Sequence, residues 1–551
     1  MNTAEDIKSF FKGDIDDSRT TLEKYSRDAS LYKVRPSLVV FPKDSEDIKN
    51  LVSYIAKARK EGNDLSLTAR SAGTDMTGGP LSESIVVDFT KYINQLKTIG
   101  NDFAVVEPGM FYRDFEKAIA PKNLLLPSYP ASKDLCAIGG MVANNAGGEK
   151  TLKYGKTEQY VEEIKMILHD GNEYTFKKLS ETELELKKSQ NDLEGEIYKK
   201  ISSLIINNFE LLKSAKPKVH KNSSGYYLWN VYNSDNKTFD ITRLITGSQG
   251  TLGILTEIKL KLVHPKPASR LLVIFLKDLD PLADITERML KRQPESFESY
   301  DNNTFRLAIK LLPELIQKIK GSVFKLILGM VPEIWIIATS GMPKLVLLAE
   351  FTADTTEEAD RQAKEASEEL KKAYPHLKTR VTKTDEETQE FWLIRRESFN
   401  LLRSHVRGLR TAPFIDDFSV RPEHLPEFLP KLYLILNSYK IIYTIAGHIG
   451  DGNFHIIPLM NFRDPKTKDL IRDLSKKVYG LVLEYGGSLS GEHNDGLIRS
   501  PYLKQQFGEE VYLLFEETKK IFDPDNVFNP GKKVGASLEY AMAHLDTENR
   551  K

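Results

Sequence analysis

The chain has 551 residues, enough for roughly three or four domain-sized units, and its 40% hydrophobic and 28% charged content is that of an ordinary soluble globular protein. Lys+Arg and Asp+Glu both number 78, so no polybasic field points to nucleic acid or to an anionic membrane. The single cysteine, Cys136, excludes an internal disulfide framework and an iron–sulfur cluster ligated by this chain's own cysteines.

The amino terminus, Met1-Asn2-Thr3-Ala4-Glu5-Asp6, lacks a basic region followed by an apolar core, so no signal peptide is expected. Residues 1–34 are polar and read as a helical N-terminal extension. Across 35–265 short β-rich runs alternate with helices, with strands at 38–41, 65–69, 85–88 and 103–106 and a helix starting at Ser45-Glu46-Asp47. The run 164–168, ending at Asp170-Gly171 before 173–176, reads as a hairpin. This rhythm makes the segment an α+β or α/β domain. Charged, helix-rich sequence fills 180–240. Strands at 271–275 and 346–351, each followed by a helical pattern (281–291 and 356–373), open a second α+β domain over 266–500. Its further helices lie at 426–436, with Pro430 expected to kink or delay the first, and at 469–485. Residues 501–551 form a C-terminal segment. The most apolar stretch, 323–351, is broken by Lys325, Pro332, Glu333, Pro343 and Lys344, too interrupted for a spanning helix. It reads as a buried helix and strand, with a membrane- or partner-docking surface as the alternative. Cytoplasmic residence is the default, with peripheral contact at the inner face of the membrane left open.

Three glycine-rich loops stand out. Arg70-Ser71-Ala72-Gly73-Thr74-Asp75-Met76-Thr77-Gly78-Gly79 lies between strands and exposes successive backbone N–H groups that a pyrophosphate can approach. It matches neither the P-loop nor Gly-x-Gly-x-x-Gly, and alone it reads equally well as a tight loop. Ala137-Ile138-Gly139-Gly140-Met141-Val142-Ala143-Asn144-Asn145-Ala146-Gly147-Gly148 is the second, and Thr246-Gly247-Ser248-Gln249-Gly250-Thr251-Leu252-Gly253-Ile254 the third. Turn glycines explain one such loop comfortably and three poorly; together they suggest an extended nucleotide ligand.

Near the C-terminus, Gly447-His448-Ile449-Gly450-Asp451-Gly452-Asn453-Phe454-His455 carries apolar residues on both sides of Asp451-Gly452, a two-residue hairpin signal. Such a turn places His448 directly opposite His455, with Cβ atoms roughly 5 Å apart on one side of the sheet. Two imidazoles so placed, with Glu492 from Gly491-Glu492-His493, make a two-histidine, one-carboxylate set for a divalent metal with open positions for substrate. His493 is an adjacent proton acceptor. The alternative is a pair of half-exposed strand histidines and an unrelated Glu-His.

Together the loops resemble the FAD-binding domain of the vanillyl-alcohol-oxidase/PCMH flavoproteins. The C-terminal motifs, with Tyr485-Gly486-Gly487-Ser488-Leu489-Ser490, Phe522-Asp523-Pro524-Asp525 and Asn529-Pro530-Gly531-Lys532, resemble the FAD-linked oxidase domain of the 2-hydroxyacid dehydrogenase branch. That branch holds D-lactate dehydrogenases, the glycolate oxidase flavin subunit and D-2-hydroxyglutarate dehydrogenases. The nearest likeness is to the flavin portion of large bacterial FAD/FMN-containing dehydrogenases. The resemblance implies a two-part PCMH-type FAD-binding domain, an α+β (ferredoxin-like) substrate or cap domain, and a C-terminus returning to the flavin.

By that resemblance, residues 70–79 hold the FAD pyrophosphate. Pro127, Ser132, Gly139, Gly140, Asn144, Asn145, Gly147 and Gly155 line flavin and ADP, while Gly250, Thr251, Gly253 and Ile254 contact the adenosine end and Asn529 the flavin ring. His448, His455 and Glu492 match the metal ligands, with zinc, manganese or iron suited, and His493 the catalytic base. The family's substrate-carboxylate arginine follows a tryptophan by three residues, which places it at Arg395 after Trp392; Arg396 is the substitute and a plain surface arginine the alternative. The first loop has Asp75 and no histidine, so FAD is expected to be non-covalent, and an acid beside a pyrophosphate is unfavourable unless it points away. Asn494 replaces the commoner Gly after Glu-His, and Ile457 stands where the 2-hydroxyglutarate enzymes place a polar side chain, which weakens the case for a dicarboxylate. The implied activity is metal-assisted oxidation of a D-2-hydroxy acid to the 2-oxo acid. Its electrons would pass to quinone, an electron-transfer flavoprotein or a separate iron–sulfur subunit. The rivals are an oxygen-using flavin oxidase of an alcohol or hydroxy acid, and a non-catalytic flavin subunit of a redox complex. The intact His448, His455, Glu492 and His493 count against the last.

Overall fold

The computed structural model describes residues 3–302, 304, 342–405 and 408–548. Most of the apolar stretch at 323–351 therefore lies outside the described residues; its end forms a strand of the third sheet below.

Strands β1 (Asp14–Asp16), β2 (Leu38–Phe41), β3 (Leu67–Arg70) and β4 (Ile85–Asp88) form a sheet in the order β1-β2-β4-β3. β2, β4 and β3 run parallel, and the helix Ser45–Lys60 crosses between β2 and β3. Asp44 starts that helix by accepting the Asp47 backbone N–H at 3.0 Å. Val39, Val40, Val86 and Val87 are all fully buried, which is why these strands read as continuous apolar runs. The polar N-terminal extension is not helical throughout: its Asp-Ile-Asp pairs antiparallel with β2 as an edge strand. Three residues carry no periodic signal, so that strand is set by its partner.

The second sheet has seven strands: β5 (Leu96–Ile99), β6 (Phe103–Val106), β7 (Val161–Ile167), β8 (Glu173–Ser180), β9 (Tyr232–Asn233), β10 (Thr238–Asp240) and β11 (Ile254–Lys261), ordered β5-β6-β11-β7-β8-β10-β9. The β7–β8 hairpin turns at Gly171, whose φ is 79°. β11 alternates, with Ile254, Thr256, Ile258 and Leu260 buried, the period-two pattern of a half-buried strand.

From residue 268 onward the strands are β12 (Ala268–Leu276), β13 (Ser296–Asp301), β14 (Leu345–Ala353), β15 (Lys378–Val381), β16 (Arg410–Thr411), β17 (Phe418–Ser419), β18 (Ile445–His448), β19 (Asn453–Ile456) and β20 (Leu459–Met460). Seven form an antiparallel sheet, β15-β12-β14-β13-β18-β19-β17, and β16 pairs with β20. One face carries Leu272, Ile274 and Phe297 against the helices Leu282–Lys291, Thr356–Ala373, Leu425–Asn437 and Thr467–Glu484. The other carries Leu271, Val273 and Tyr300 against Trp392 and Ile394 of the helix Asp385–His405. The helix Leu425–Asn437 starts before Pro430 and continues through it, so the proline does not delay it. Burial of Leu425, Phe428, Leu429, Leu432 and Leu436 outweighs the one hydrogen bond that proline removes. The fold is α+β throughout.

The chain ends by returning to the first sheet. After the helix Leu503–Phe522, the buried Asp523 accepts the backbone N–H groups of Val527 and Phe528, each at 2.8 Å, and Phe528 bridges to Leu67 of β3. Asp523→Ala strands both donors and should lower stability by about 1–3 kcal/mol, read as a shift of the denaturant midpoint.

Candidate active site

The three glycine-rich loops meet in one cleft. Arg70, Ser71, Gly73, Thr74 and Asp75 line it from the first loop, Gly139, Gly140 and Asn144 from the second, Gly250 and Gly253 from the third. Ala72, Thr77, Gly78, Pro127, Ser132, Asn145, Gly147, Gly155, Thr251, Ile254 and Asn529 are not part of that lining. The second loop begins the helix Ile138–Asn144, and Gly139 lies so close to Pro108 that a Cβ there would be 2.7 Å from its carbonyl oxygen.

Several of these residues also hold the scaffold. The Arg70 guanidinium turns to the N-terminal extension, donating to the carbonyls of Tyr25 (3.1 Å) and Arg27 (2.7 Å) and lying over the Tyr25 ring. Ile254 packs in the first-sheet core with Ile167 and Phe528. The Thr251 hydroxyl donates to the Ser248 carbonyl at 2.7 Å and meets the Tyr226 hydroxyl. Gly155 ends the helix Thr151–Tyr154 at φ 73°. The Ser132 carbonyl accepts the N–H groups of Leu135 and Cys136. Asn145 accepts the Glu158 N–H at 3.0 Å. Asn529 donates to the carbonyls of Gly79 (3.0 Å) and Gln249 (2.8 Å), joining the first loop to the third.

Asp75 folds back into its own loop. One oxygen accepts the Thr77 hydroxyl and the N–H groups of Thr77 and Gly79 at 2.7–3.0 Å, and the other accepts the Asn144 amide at 2.7 Å. The acid therefore organises the first loop and fastens it to the second. Asn494 does similar work at φ 71°, a left-handed conformation that asparagine tolerates. It donates to the carbonyls of Asn144 (3.1 Å) and Gly247 (2.9 Å), binding the second and third loops to the turn that carries His493.

Beside the cleft lies a buried cluster of imidazoles and carboxylates. His448 Nε2 is 3.2 Å, and His455 Nε2 3.3 Å, from the same oxygen of Glu492, Oε1. Each imidazole is held from behind: His448 Nδ1 meets Glu298 at 2.5 Å and His455 Nδ1 meets Asp416 at 3.1 Å. The other Asp416 oxygen is 2.9 Å from His493 Nδ1. Glu492 Oε2 accepts the fully buried Lys221 ammonium at 2.9 Å. Gly147 lets the second loop lie against this carboxylate, since a Cβ there would be 3.3 Å from Oε2.

The hairpin register differs from the expected one. Ile449–Asp451 forms a 3₁₀ turn and Gly452 adopts φ 64°, so the loop has four residues and His448 pairs with Asn453, while His455 pairs with Ala446. A displacement of two residues keeps both histidines on one face; they meet diagonally, ring centroids 5.2 Å apart.

Asp417, His455, Glu492 and His493 also converge, one ligand atom each within 4.8 Å. Asp417 is the weaker ligand because its carboxylate is already filled. It accepts the N–H groups of Glu492 (3.1 Å) and His493 (2.7 Å), the Asn453 amide (3.1 Å) and the Ser490 hydroxyl (2.7 Å). It shapes the Glu-His turn, and Arg499, fully buried, fastens the same turn by donating to the carbonyls of Asn494 and Asp416.

The charges follow. Burial penalises His455 as a cation, but Asp416 and Glu492 outweigh it and push its pKa up to about 10. His493 is likewise raised, burial being overcome by Asp417 and Asp416. Glu492, against the burial that would raise it, is held well below the carboxylate range by Lys221 and His448. With each Nδ1 donating to a carboxylate, each Nε2 lone pair would point at an oxygen of Glu492. Acceptor against acceptor is repulsive unless a proton or a cation lies between. Ligands roughly 2.0–2.1 Å from a tetrahedral ion stand about 3.3–3.4 Å apart, close to the spacings seen.

Arg395 approaches from the helix Asp385–His405, its Nη2 3.1 Å from Glu298 Oε2. Arg396 points elsewhere, pairing with Glu149 at 2.6 Å and lying over Trp392. Glu298, Asp416, Asp417, Lys221 and Arg499 were not singled out in the sequence. The adjacent acids Asp416-Asp417 behind the apolar Pro413-Phe414-Ile415 were the one available signal, since such acids need buried partners.

A parallel βαβ lobe and an antiparallel lobe around a glycine-lined cleft, capped by an antiparallel domain, define a two-part FAD-binding fold of the p-cresol methylhydroxylase type. The crystal structure of p-cresol methylhydroxylase with substrate bound matches with a TM-score of 0.65 at 14% identity, over 96% of each chain. The chain belongs to the FAD-linked oxidase family: residues 36–177 match the model of the FAD binding domain and residues 266–533 that of the FAD linked oxidases, C-terminal domain. D-2-hydroxyglutarate dehydrogenase of Pseudomonas putida is 27% identical over 530 residues, 95% of this chain but 51% of that protein. The glycolate oxidase subunit of Bacillus subtilis is 25% identical over 528 residues, 94% of this chain and 93% of its own. This chain spans about half the length of the D-2-hydroxyglutarate dehydrogenases it matches. Among the described residues no helix is long and apolar enough to cross a membrane.

Asp75→Ala removes the acceptor that closes the first loop and joins it to the second. FAD affinity should fall about tenfold or more, the loss of one or two charge-assisted hydrogen bonds, in a flavin fluorescence titration.

Proposed function

We propose that the chain is a FAD-dependent, metal-assisted dehydrogenase that oxidises a 2-hydroxy acid to the 2-oxo acid and passes electrons to a non-nicotinamide acceptor. The observation that carries this is the approach of two carboxylate-backed imidazoles to one oxygen of Glu492, beside a cleft built from the three glycine loops. FAD would lie non-covalently in that cleft, held by backbone groups of the first and second loops. A divalent ion (zinc, with manganese or iron also suited to two histidines and a carboxylate) would be held by His448, His455 and Glu492. Bound FAD supplies the two-electron acceptor and the bound metal acidifies the substrate hydroxyl.

The chain's own residues do the rest. Arg395 holds the substrate carboxylate in a charge-assisted pair. His493, the least buried of the three imidazoles at 21% side-chain exposure, has its Nδ1 on Asp416 and its Nε2 3.9 Å from Glu492 Oε1. This Nε2 accepts the hydroxyl proton, and Asp416 and Asp417 stabilise the imidazolium that results. The names of the relatives denote 2-hydroxy acids, which supports this substrate class and, for one, the D-configuration. Ile457, buried next to the second histidine strand, offers no polar contact to a second carboxylate and favours a small monocarboxylic acid.

Anaerobic bleaching of the flavin absorbance by a panel of D- and L-2-hydroxy acids, with and without chelator, tests the reading. Bleaching by a small D-acid, lost with chelator and restored by zinc or manganese, is expected; a flavin that no acid bleaches would overturn it. Glu492→Ala should keep FAD and lose bleaching by at least a thousandfold. At saturating metal, Asp416→Asn should move the acidic limb of the pH–rate profile to lower pH. His493 must be unprotonated to act, and removing a facing carboxylate makes it easier to deprotonate.

A further inference from the structure

Glu298 is buried to 1% exposure at the centre of the third sheet, on β13 between β14 and β18. Neighbours on its face are apolar, among them Tyr300, Leu348 and Ala446, the last beside His448 on β18. A carboxylate in such surroundings is costly unless both oxygens have charged or donating partners. Its partners come from different halves of the site. Oε1 meets His448 Nδ1 at 2.5 Å and Oε2 meets Arg395 Nη2 at 3.1 Å. In the proposed function, His448 belongs to the metal and Arg395 to the substrate carboxylate.

We propose that Glu298 is a positioning residue that couples the two, so that occupancy of Arg395 sets the strength with which His448 holds the metal. This rests on the metal-assisted reading above. The coupling follows from one negative charge having two claimants. While the guanidinium is turned to Glu298, it draws on that charge, and the His448 Nδ1–H is backed by less of it. A substrate carboxylate that pairs with Arg395 takes up the guanidinium's charge instead. Glu298 then leans fully on Nδ1–H, and the imidazole becomes a stronger donor through Nε2, the effect of a carboxylate behind a ligating histidine. Metal and substrate thus tighten each other's binding, and the relation is reciprocal by linkage. His455 has no such arrangement: its backing carboxylate, Asp416, is shared with His493, and no Asp416 contact to the substrate arginine is present among the described residues.

The experiment is zinc affinity of the full-length, FAD-loaded chain, stripped of metal and titrated against a competing chelator. Arg395→Met does not alter any metal ligand, yet it should tighten zinc binding about fivefold or more, because Glu298 is left to His448 alone. Glu298→Gln keeps an oxygen acceptor for Nδ1–H but loses the charge; it should weaken zinc binding about 10- to 100-fold. Retained FAD shows that each variant is folded. Arg395→Met binding zinc no more tightly than the unsubstituted chain, or Glu298→Gln binding it as tightly, would overturn the coupling while leaving the metal site standing. An unsubstituted chain that takes up no zinc, manganese or iron would overturn both.

Discussion

A carboxylate buried as deeply as that of Glu492 is tolerated only if each oxygen finds a partner, and the segments that supply those partners are distant in sequence. Lys221 reaches Oε2 from the stretch between the second sheet's helices and its last strands. His448 and His455 reach Oε1 from adjacent strands of the third sheet. Asp417 holds the Glu492 and His493 backbone from a turn next to β17, and Gly147 brings the FAD-domain loop within van der Waals reach. Meeting this one group therefore fixes the placement of the cap domain against the FAD-binding domain.

The cleft depends on a complementary device. Loops rich in glycine are conformationally free until something fastens them. Here Asp75 ties the first loop to the second, Asn529 ties the first to the third, and Asn494 ties the second and third to the His493 turn. The acid in the first loop lines the cleft with its lone pairs already engaged by Thr77, Gly79 and Asn144. The asparagine that replaces the commoner glycine after Glu-His keeps the left-handed turn and adds two hydrogen bonds between domains.

Much of this was legible in the sequence because its signals are local. Apolar runs such as Val39-Val40 and Val86-Val87, the Asp170-Gly171 turn and the alternation in β11 mark strands whatever surrounds them. His448, His455 and Glu492 stood out by spacing. The register of their hairpin did not, because a two-residue Asp-Gly turn and a 3₁₀ turn closed by a left-handed glycine share one sequence pattern. Glu298, Lys221 and Arg499 were not legible for a different reason. Each is a single charged residue in an apolar or ordinary stretch, and its role exists only once the chain has brought its partner from 150, 271 or 83 residues away. Arg70 and Asn529 carry a further part that no motif shows: Arg70, which lines the cleft, also fastens the N-terminal extension, and Asn529 joins the first loop to the third.

The claim on which the account turns is that the space between His448 Nε2, His455 Nε2 and Glu492 Oε1 is a metal site. Crystals grown with zinc, with anomalous differences collected on both sides of the zinc edge, test it most directly. One strong peak about 2.0–2.2 Å from all three atoms is expected, with Glu298 and Asp416 still behind the imidazoles. A peak elsewhere in the chain, or none with the three side chains in place, would contradict it.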